Sequence, residues 1–457
     1  MRMPILLLCI ALLVGCSRKP VTEPQQTETA AAAPQAESAR GDLVFPADLR
    51  TLEKPASIAK RRTSPPVDPN VGIVLPKDAF RAIAVQADGK VVVAGSTYNG
   101  RNDDGWIRRF LRDGKVDPKF GGDSGIREAF GDEDDQYFGI GIQKDGRIVA
   151  AGSSSLGRRN FFILARYTSA GELDEAFATN GKAVTEIGTL RDAARCMVIQ
   201  SDGRILVAGS SSNDADGGDN DFAVARYTKG GLLDPTFGQG GKTLVDFEDG
   251  DDIANCIALQ NDGKVIIAGS SEKSGKRVLA LARFNPDGRR DLTFGKRGKV
   301  VTEFEGRNGI ATGVSLLSDG RIIIVGSVYS GGRRDVFLVR YHPNGGIDEK
   351  FGEGGKVITK IGNSADANGV VIQHDGKMIV AGAATDGHRY GFCVLRYLES
   401  GKLDVRLETP GNVRAASEKG DDFGYAVALD RNGDILVAGV SMDVKGAKAL
   451  LVRYKGN

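Results

Sequence analysis

The sequence predicts an all-β, seven-bladed β-propeller built from four-stranded blades of about 57 residues. Three observations predict it. First, a turn of the form Gln-x-Asp-Gly-Lys/Arg recurs, with its glycines at Gly89, Gly146, Gly203, Gly263, Gly320, Gly376 and Gly433, spaced 57, 57, 60, 57, 56 and 57 residues apart. Second, each copy carries the pattern of four strands. Third, the two ends of the chain are complementary. The seventh copy stops after its third strand, at Arg453-Tyr454, and the missing fourth strand appears at Gly72-Ile73-Val74-Leu75, after the turn-like Val67-Asp68-Pro69-Asn70. A ring uses that exchange, because pairing between the ends removes an exposed edge. The competing architecture, an open β-solenoid, needs capping repeats instead.

Within a copy, the first strand is short and rich in small residues, as in Ala82-Ile83-Ala84-Val85. The Asp-Gly turn follows and reads as a hairpin, because both residues tolerate positive φ. The second strand is almost continuously apolar, as in Val265-Ile266-Ile267-Ala268, and closes on a glycine in every copy. Such a run suits a strand covered on both faces. A variable loop leads to a third strand such as Phe222 to Tyr227, and the turn Leu233 to Gly238 leads to a fourth such as Lys242 to Phe247.

Upstream, residues 1–15 read as an export signal, with Arg2 ahead of an uncharged run from Ile5 to Val14. That run is shorter than the ~20 apolar residues of a spanning helix. It ends in Leu13-Val14-Gly15-Cys16, which resembles the lipobox of bacterial lipoproteins. The resemblance implies cleavage before Cys16, lipid attachment there, and, with Ser17 next, an outer-membrane address on the periplasmic face or cell surface. Residues 16–69 lack apolar periodicity and read as a disordered linker, and residues 70–457 are the propeller. The linker holds eight basic and seven acidic residues, which leaves 52 of each sign in 71–457. That balance argues against nucleic acid and against generic attraction to anionic lipid.

The repeat Gln-x-Asp-Gly-Lys-Ile/Val-Val-Val-Ala-Gly-Ser, then Ala-Arg-Tyr, then Gly-x-Leu-Asp-x-x-Phe-Gly-x-x-Gly-Lys resembles the delta-60 repeat of bacterial secreted and surface proteins. Copies two to five match it best. Copy six departs, with Leu407 in place of the turn Phe and Thr409-Pro410 in the glycine pattern, and copy seven has Asp430 for the Gln. The resemblance implies a propeller and no particular activity.

Two polar patterns recur. An Arg–aromatic pair closes every third strand, and in six copies an Asp follows the Arg by eight residues. A buried guanidinium needs a carboxylate, so Arg226 is expected to pair with Asp234 or Asp202. In the seventh copy only Asp68 is available, through closure of the ring. Next, an acid sits near the eleventh position before the turn glycine: Asp78, Asp135, Asp192, Asp252, Asp366 and Asp422, with Asn308 in copy five. If the first strand is innermost, these residues ring one mouth of the channel. They either hold turns ahead of the strands or attract cations there.

The loop from Asn213 to Asp221 is the sharpest local motif. It is either a solvated acidic loop or a wrap for Ca²⁺ through Asp214, Asp216, Asp219 and Asp221, with oxygens alternating between glycines. It lacks the closing Glu of an EF-hand. No other cofactor is implied. The three histidines, His342, His374 and His388, do not share a metal spacing, and Cys196 and Cys256 read as small core residues. Variation concentrates between the second and third strands, with tips at Tyr98, Arg101, Arg158-Arg159, Arg333-Arg334 and Tyr390. Loops on a rigid scaffold are where recognition usually lives. The sequence therefore favours a monomeric, non-catalytic module that binds an envelope or extracellular protein or polysaccharide. The alternative is a hydrolase or lyase with an acidic site at the channel mouth.

Overall fold

The computed structural model describes residues 78–157, 159–188, 190–212, 219–247, 250–407, 412–415, 420–444 and 446–456. Seven antiparallel sheets follow one another along the chain. In the third, the strands Arg191–Ile199, Ile205–Ser212, Asp221–Tyr227 and Lys242–Val245 pair in chain order. The seventh shows three strands among the described residues, Asp421–Leu429, Ile435–Asp443 and Gly446–Tyr454. Cys16 and the strand expected at 72–75 lie outside the described residues. Each first strand touches the first strands of both neighbouring blades, and Ala79–Val85 of the first blade meets Asp421–Leu429 of the last. The first strands are therefore innermost, and the ring closes.

Blades stack through apolar side chains from both partners. Phe80, Trp106 and Phe110 of the first blade pack on Leu436 and Ala438 of the seventh. Phe237 and Leu206 of the third pack on Ile267 and Phe284 of the fourth. Second strands such as Val265–Lys273 are buried on both faces up to Ser271, which explains their unbroken apolar runs.

The glycine that closes each second strand has a steric cause. Every first strand carries a β-bulge, as between Ala254 and Cys256 opposite Ala268 and Gly269. The bulge drives the Ile253 carbonyl onto Gly269, where a Cβ would lie 1.8 Å from that oxygen. The same approach recurs at Gly95, Gly152, Gly209, Gly326, Gly382 and Gly439. The Asp-Gly turn differs from the expected two-residue hairpin. Gly263 has φ +81°, whereas Asp262 is not left-handed. Gln260 N donates to Lys264 O at 2.8 Å and Gly263 N to Gln260 O at 2.9 Å. The loop is longer and closes on a single left-handed glycine, while the Asp262 carboxylate accepts the Lys264 amide at 3.1 Å.

The recurring arginine is a clamp between blades. Arg226 is buried, and its Nε donates to Asp234 Oδ2 at 2.8 Å. Its Nη1 reaches the Pro286 carbonyl of the next blade, and the guanidinium stacks 4.7 Å from the Phe237 ring. Arg109, Arg166, Arg283 and Arg340 repeat the arrangement. Arg396 keeps Asp404 at 3.0 Å, but Leu407 stands where the ring would be. Asp202, the other candidate partner of Arg226, is held by Arg204 instead. Asp68 lies outside the described residues, and Arg453 meets Asp430 at 3.2 Å.

Candidate functional site

The acids that precede the inner strands turn inward to the chain. Asp135, Asp192 and Asp252 are wholly buried and Asp422 is 1% exposed. Asp135, Asp192 and Asp252 accept the amides of Phe130, Ile187 and Phe247 through Oδ2 at 2.7, 2.6 and 2.6 Å. Asp78 accepts the Thr97 hydroxyl at 2.7 Å and the Tyr98 amide at 3.1 Å, and Asp366 accepts from Arg334 at 3.0 Å. Of the two roles these acids could play, Asp135, Asp192 and Asp252 hold the turn ahead of their strand, whereas Asp78 binds the second strand of its own blade and Asp366 an arginine. The return from an outermost strand to the next inner strand leaves a backbone amide that needs an acceptor, and Asp135, Asp192 and Asp252 supply it.

Between the third and fourth blades the pattern gains two companions. Asp221 opens a third strand, one residue before Phe222, and Val245 lies opposite Phe222 in the ladder. Asp246 therefore emerges beside Asp221, and the chain then returns to Asp252. One carboxylate oxygen from each of Asp221, Asp246 and Asp252 lies within 4.8 Å of the others. Burial pushes the Asp252 carboxyl up to about 7, and the charges of Asp246 and Asp221 add to the rise. The Ser271 hydroxyl lies close enough to offset part of it, yet no donor meets Asp252 Oδ1 in hydrogen-bonding geometry. Burial also raises Asp221, with Asp246 and Asp219 adding to it and Lys299 opposing. Of the calcium ligands expected from the sequence, Asp214 and Asp216 lie outside the described residues, Asp219 is exposed, and Asp221 joins this trio. Asp246 escaped the sequence reading because only strand register brings it to Asp221.

A cleft of about 570 Å³ runs along the outermost strand of the fourth blade, Lys299–Thr302. Lys273, Arg290, Lys296, Arg297 and Lys299 line it with the apolar Phe247, Val278 and Val300, and no acid is among the lining residues. Lys273 pairs with Glu303 at 2.8 Å. Lys299 donates to the Asp246 carbonyl and lies 5.3 Å from the Phe247 ring. Arg290, Lys296 and Arg297 form no ion pair among the described residues. The sequence carries a signal for this patch that the repeat pattern masks: residues 273–299 hold nine basic and two acidic residues.

Several of the loop tips expected to recognise a partner are spent internally. Arg333 bonds Asp335 at 2.9 Å, Arg334 bonds Asp366, and Tyr390 stacks 5.0 Å from Phe423. Arg158 lies outside the described residues. Arg101 borders a second recess, of about 520 Å³, with Asp132, Glu133 and Asp134. The three histidines are exposed, and Cys196 and Cys256 are free thiols, each pushed up by burial, Cys196 to about 12.

The chain matches the model described as "Domain of unknown function (DUF5122) beta-propeller" at residues 86–120, 143–177, 200–237, 260–294, 317–351 and 373–406. These are delta-60-like repeats, one in each of the first six blades. No curated protein matches the sequence. Among solved structures, a polysaccharide lyase described as a PL25 ulvan lyase superposes with TM-score 0.51 at 12% identity, covering 84% of this chain and 95% of that one. The same kind of lyase bound to -[GlcA(1-4)Rha3S]- gives TM-score 0.50 at 12% identity, with the same coverage. A catalytically inactive virginiamycin B lyase from Staphylococcus aureus gives 0.49 at 12% identity, covering 83% and 97%. Identities this low show the fold alone.

Proposed function

We propose that this DUF5122-repeat propeller is a lipid-anchored envelope module that binds an acidic polysaccharide without transforming it. The observation that carries the reading is the rim cleft. Five cations and several apolar side chains face one space with no acid among them, within a propeller whose charges balance overall. A row of guanidinium and ammonium groups suits the carboxylates or sulfates of a polyanionic glycan. The apolar floor suits the faces of its sugar rings. Binding comes before catalysis in this reading, because the acid with the most raised pKa, Asp252, is enclosed and has no access to a substrate. The anchor follows from Leu13-Val14-Gly15-Cys16, and an exported location would bring the cleft to envelope polymers.

The test is binding of polygalacturonate, heparin and neutral dextran to wild type and to Lys296→Glu/Arg297→Glu. Both side chains are exposed, so the reversal is expected to leave folding intact. The polyanions are expected to bind with an affinity that falls as salt rises, dextran is not, and the double variant is expected to lose at least about tenfold in affinity. Equal binding of dextran, or polyanion binding unchanged by the reversal, would sink the reading. Fractionation of wild type against Cys16→Ala tests the anchor separately: the variant is expected to leave the membrane fraction.

A further inference from the structure

We propose that Asp221, Asp246 and Asp252 form a calcium site between the third and fourth blades. Three carboxylates converge with one oxygen each inside 4.8 Å. An independent observation points to a ligand there. Asp252 is wholly buried, its Oδ2 is taken by the Phe247 amide at 2.6 Å, and its Oδ1 accepts no hydrogen bond; Asp135 and Asp422 share that orphan oxygen, but among the described residues only at Asp252 do two further carboxylates converge on it. A buried carboxylate oxygen without a donor is costly unless a cation compensates it.

The rest of the ring shows how this fold neutralises acids when it uses arginine. In the fifth blade, Asp335 precedes Val336 and Lys360 follows Thr359, in the register that places Asp221 and Asp246 in the third. There Asp335 meets Arg333 at 2.9 Å and Arg307 at 3.6 Å, and Asp366 meets Arg334 at 3.0 Å. The third-blade set has Asp246 where the fifth has Lys360. The cation facing this set is Lys299, which reaches the Asp246 carbonyl and opposes the rise at Asp221, in place of the arginines of the fifth blade. One position has been built with arginines and a lysine, and its counterpart with a third acid.

The ligands are hard oxygens only, which selects calcium or magnesium over softer metals. They come from three separate segments with no fixed octahedral frame, which favours calcium. Asp246 is exposed and Asp221 is half-buried, so an ion enters from solvent and ends against Asp252. Bound there, it would join the outer edge of one blade to the inner strand of the next. None of the three acids lines the cleft, although Phe247, Ser271 and Lys299 of its wall adjoin them, so the two readings are told apart by their separate variants.

The experiment is calorimetric titration of CaCl₂ and of MgCl₂ into detergent-solubilised, chelator-stripped full-length protein, with melting measured in parallel. One calcium per chain is expected, with Kd about 10⁻⁴–10⁻³ M, as for extracellular sites. At 10 mM calcium the melting temperature is expected to rise by about 3 °C. Asp246→Asn, at an exposed position, is expected to fold normally and to weaken calcium binding at least about tenfold. Asp252→Asn is expected to abolish the binding, whereas Asp135→Asn, the equivalent change two blades away, is expected to leave it intact. Absence of calcium heat together with an unchanged melting temperature would overturn the proposal. So would calcium binding unaltered by Asp246→Asn, or tighter binding of magnesium than of calcium. Loss of glycan binding in the cleft variant with calcium binding retained would separate the two readings.

Discussion

At the scale of single residues, two positions per blade carry much of the specification. The glycine at the end of each second strand has no freedom to change, because a carbonyl occupies the space of its missing Cβ. Gly269→Ala is expected to cost about 3 kcal/mol, read by urea unfolding, whereas Ala to Gly changes on the same strand should cost less. The Arg226–Asp234 pair is the other. Burial alone would raise the Asp234 carboxyl, but the Thr236 hydroxyl and amide and the Arg226 guanidinium outweigh it and pull the carboxyl down to about 2. A group depressed in the folded state contributes stability above its unfolded value of 3.8 and loses it as pH falls through about 2. That contribution is about 2 kcal/mol at neutral pH. Asp234→Asn is therefore expected to be less stable at pH 7, by about that amount, and to show a shallower loss of stability between pH 4 and 2. Equal slopes for the two proteins would contradict it. The arginine and its acid were legible from their eight-residue spacing. The third partner, a carbonyl of the next blade, was not, because sequence spacing does not show which blade edge faces which.

At the scale of elements, the blade edge decides what the protein can touch. The first residue of the outermost strand is a lysine in several blades, and it reaches back to the preceding blade: Lys182 to the Ala129 carbonyl at 2.7 Å and Lys356 to Glu303 at 2.9 Å. Lys299 does the same to Asp246 and lies in the cleft wall. Lys299→Met is therefore expected to do two things at once. It should lower stability slightly, by about 0.5–1 kcal/mol through loss of one partly exposed hydrogen bond, and it should weaken polyanion binding. Lys356→Met, outside the cleft, should do only the first. Parallel melting and binding measurements on the two variants check this. If both lose polyanion binding alike, the cations act as a diffuse charge rather than as a site.

For the propeller as a whole, the clamps and the inter-blade cores repeat around the ring, so no blade is independent. Removing the seventh blade by ending the chain after residue 418 would uncover Phe80 and Trp106 on one side and Phe392 on the other, all packed against its neighbours in the intact ring. The truncated chain is expected to aggregate or to lose its single cooperative calorimetric transition. A soluble truncation with an unchanged transition would mean that the blades are held pairwise and that closure contributes little.

The repeat period, the four-strand blade, the Arg–Asp pairing and the number of blades were all determined by the sequence itself, because each is a local pattern that recurs in six or seven copies. So were two members of the acidic trio, Asp221 through the loop that ends on it and Asp252 through the series of acids before the inner strands. Only the tertiary structure decided that Asp135, Asp192 and Asp252 face backbone amides rather than an open channel. The same holds for the meeting of Asp246 with Asp221 and Asp252, and for the cations of the fourth blade lining one cleft. The physical reason is common to all three. Direction and proximity across strands depend on register and on bulges, and these are fixed by packing between segments far apart in the chain.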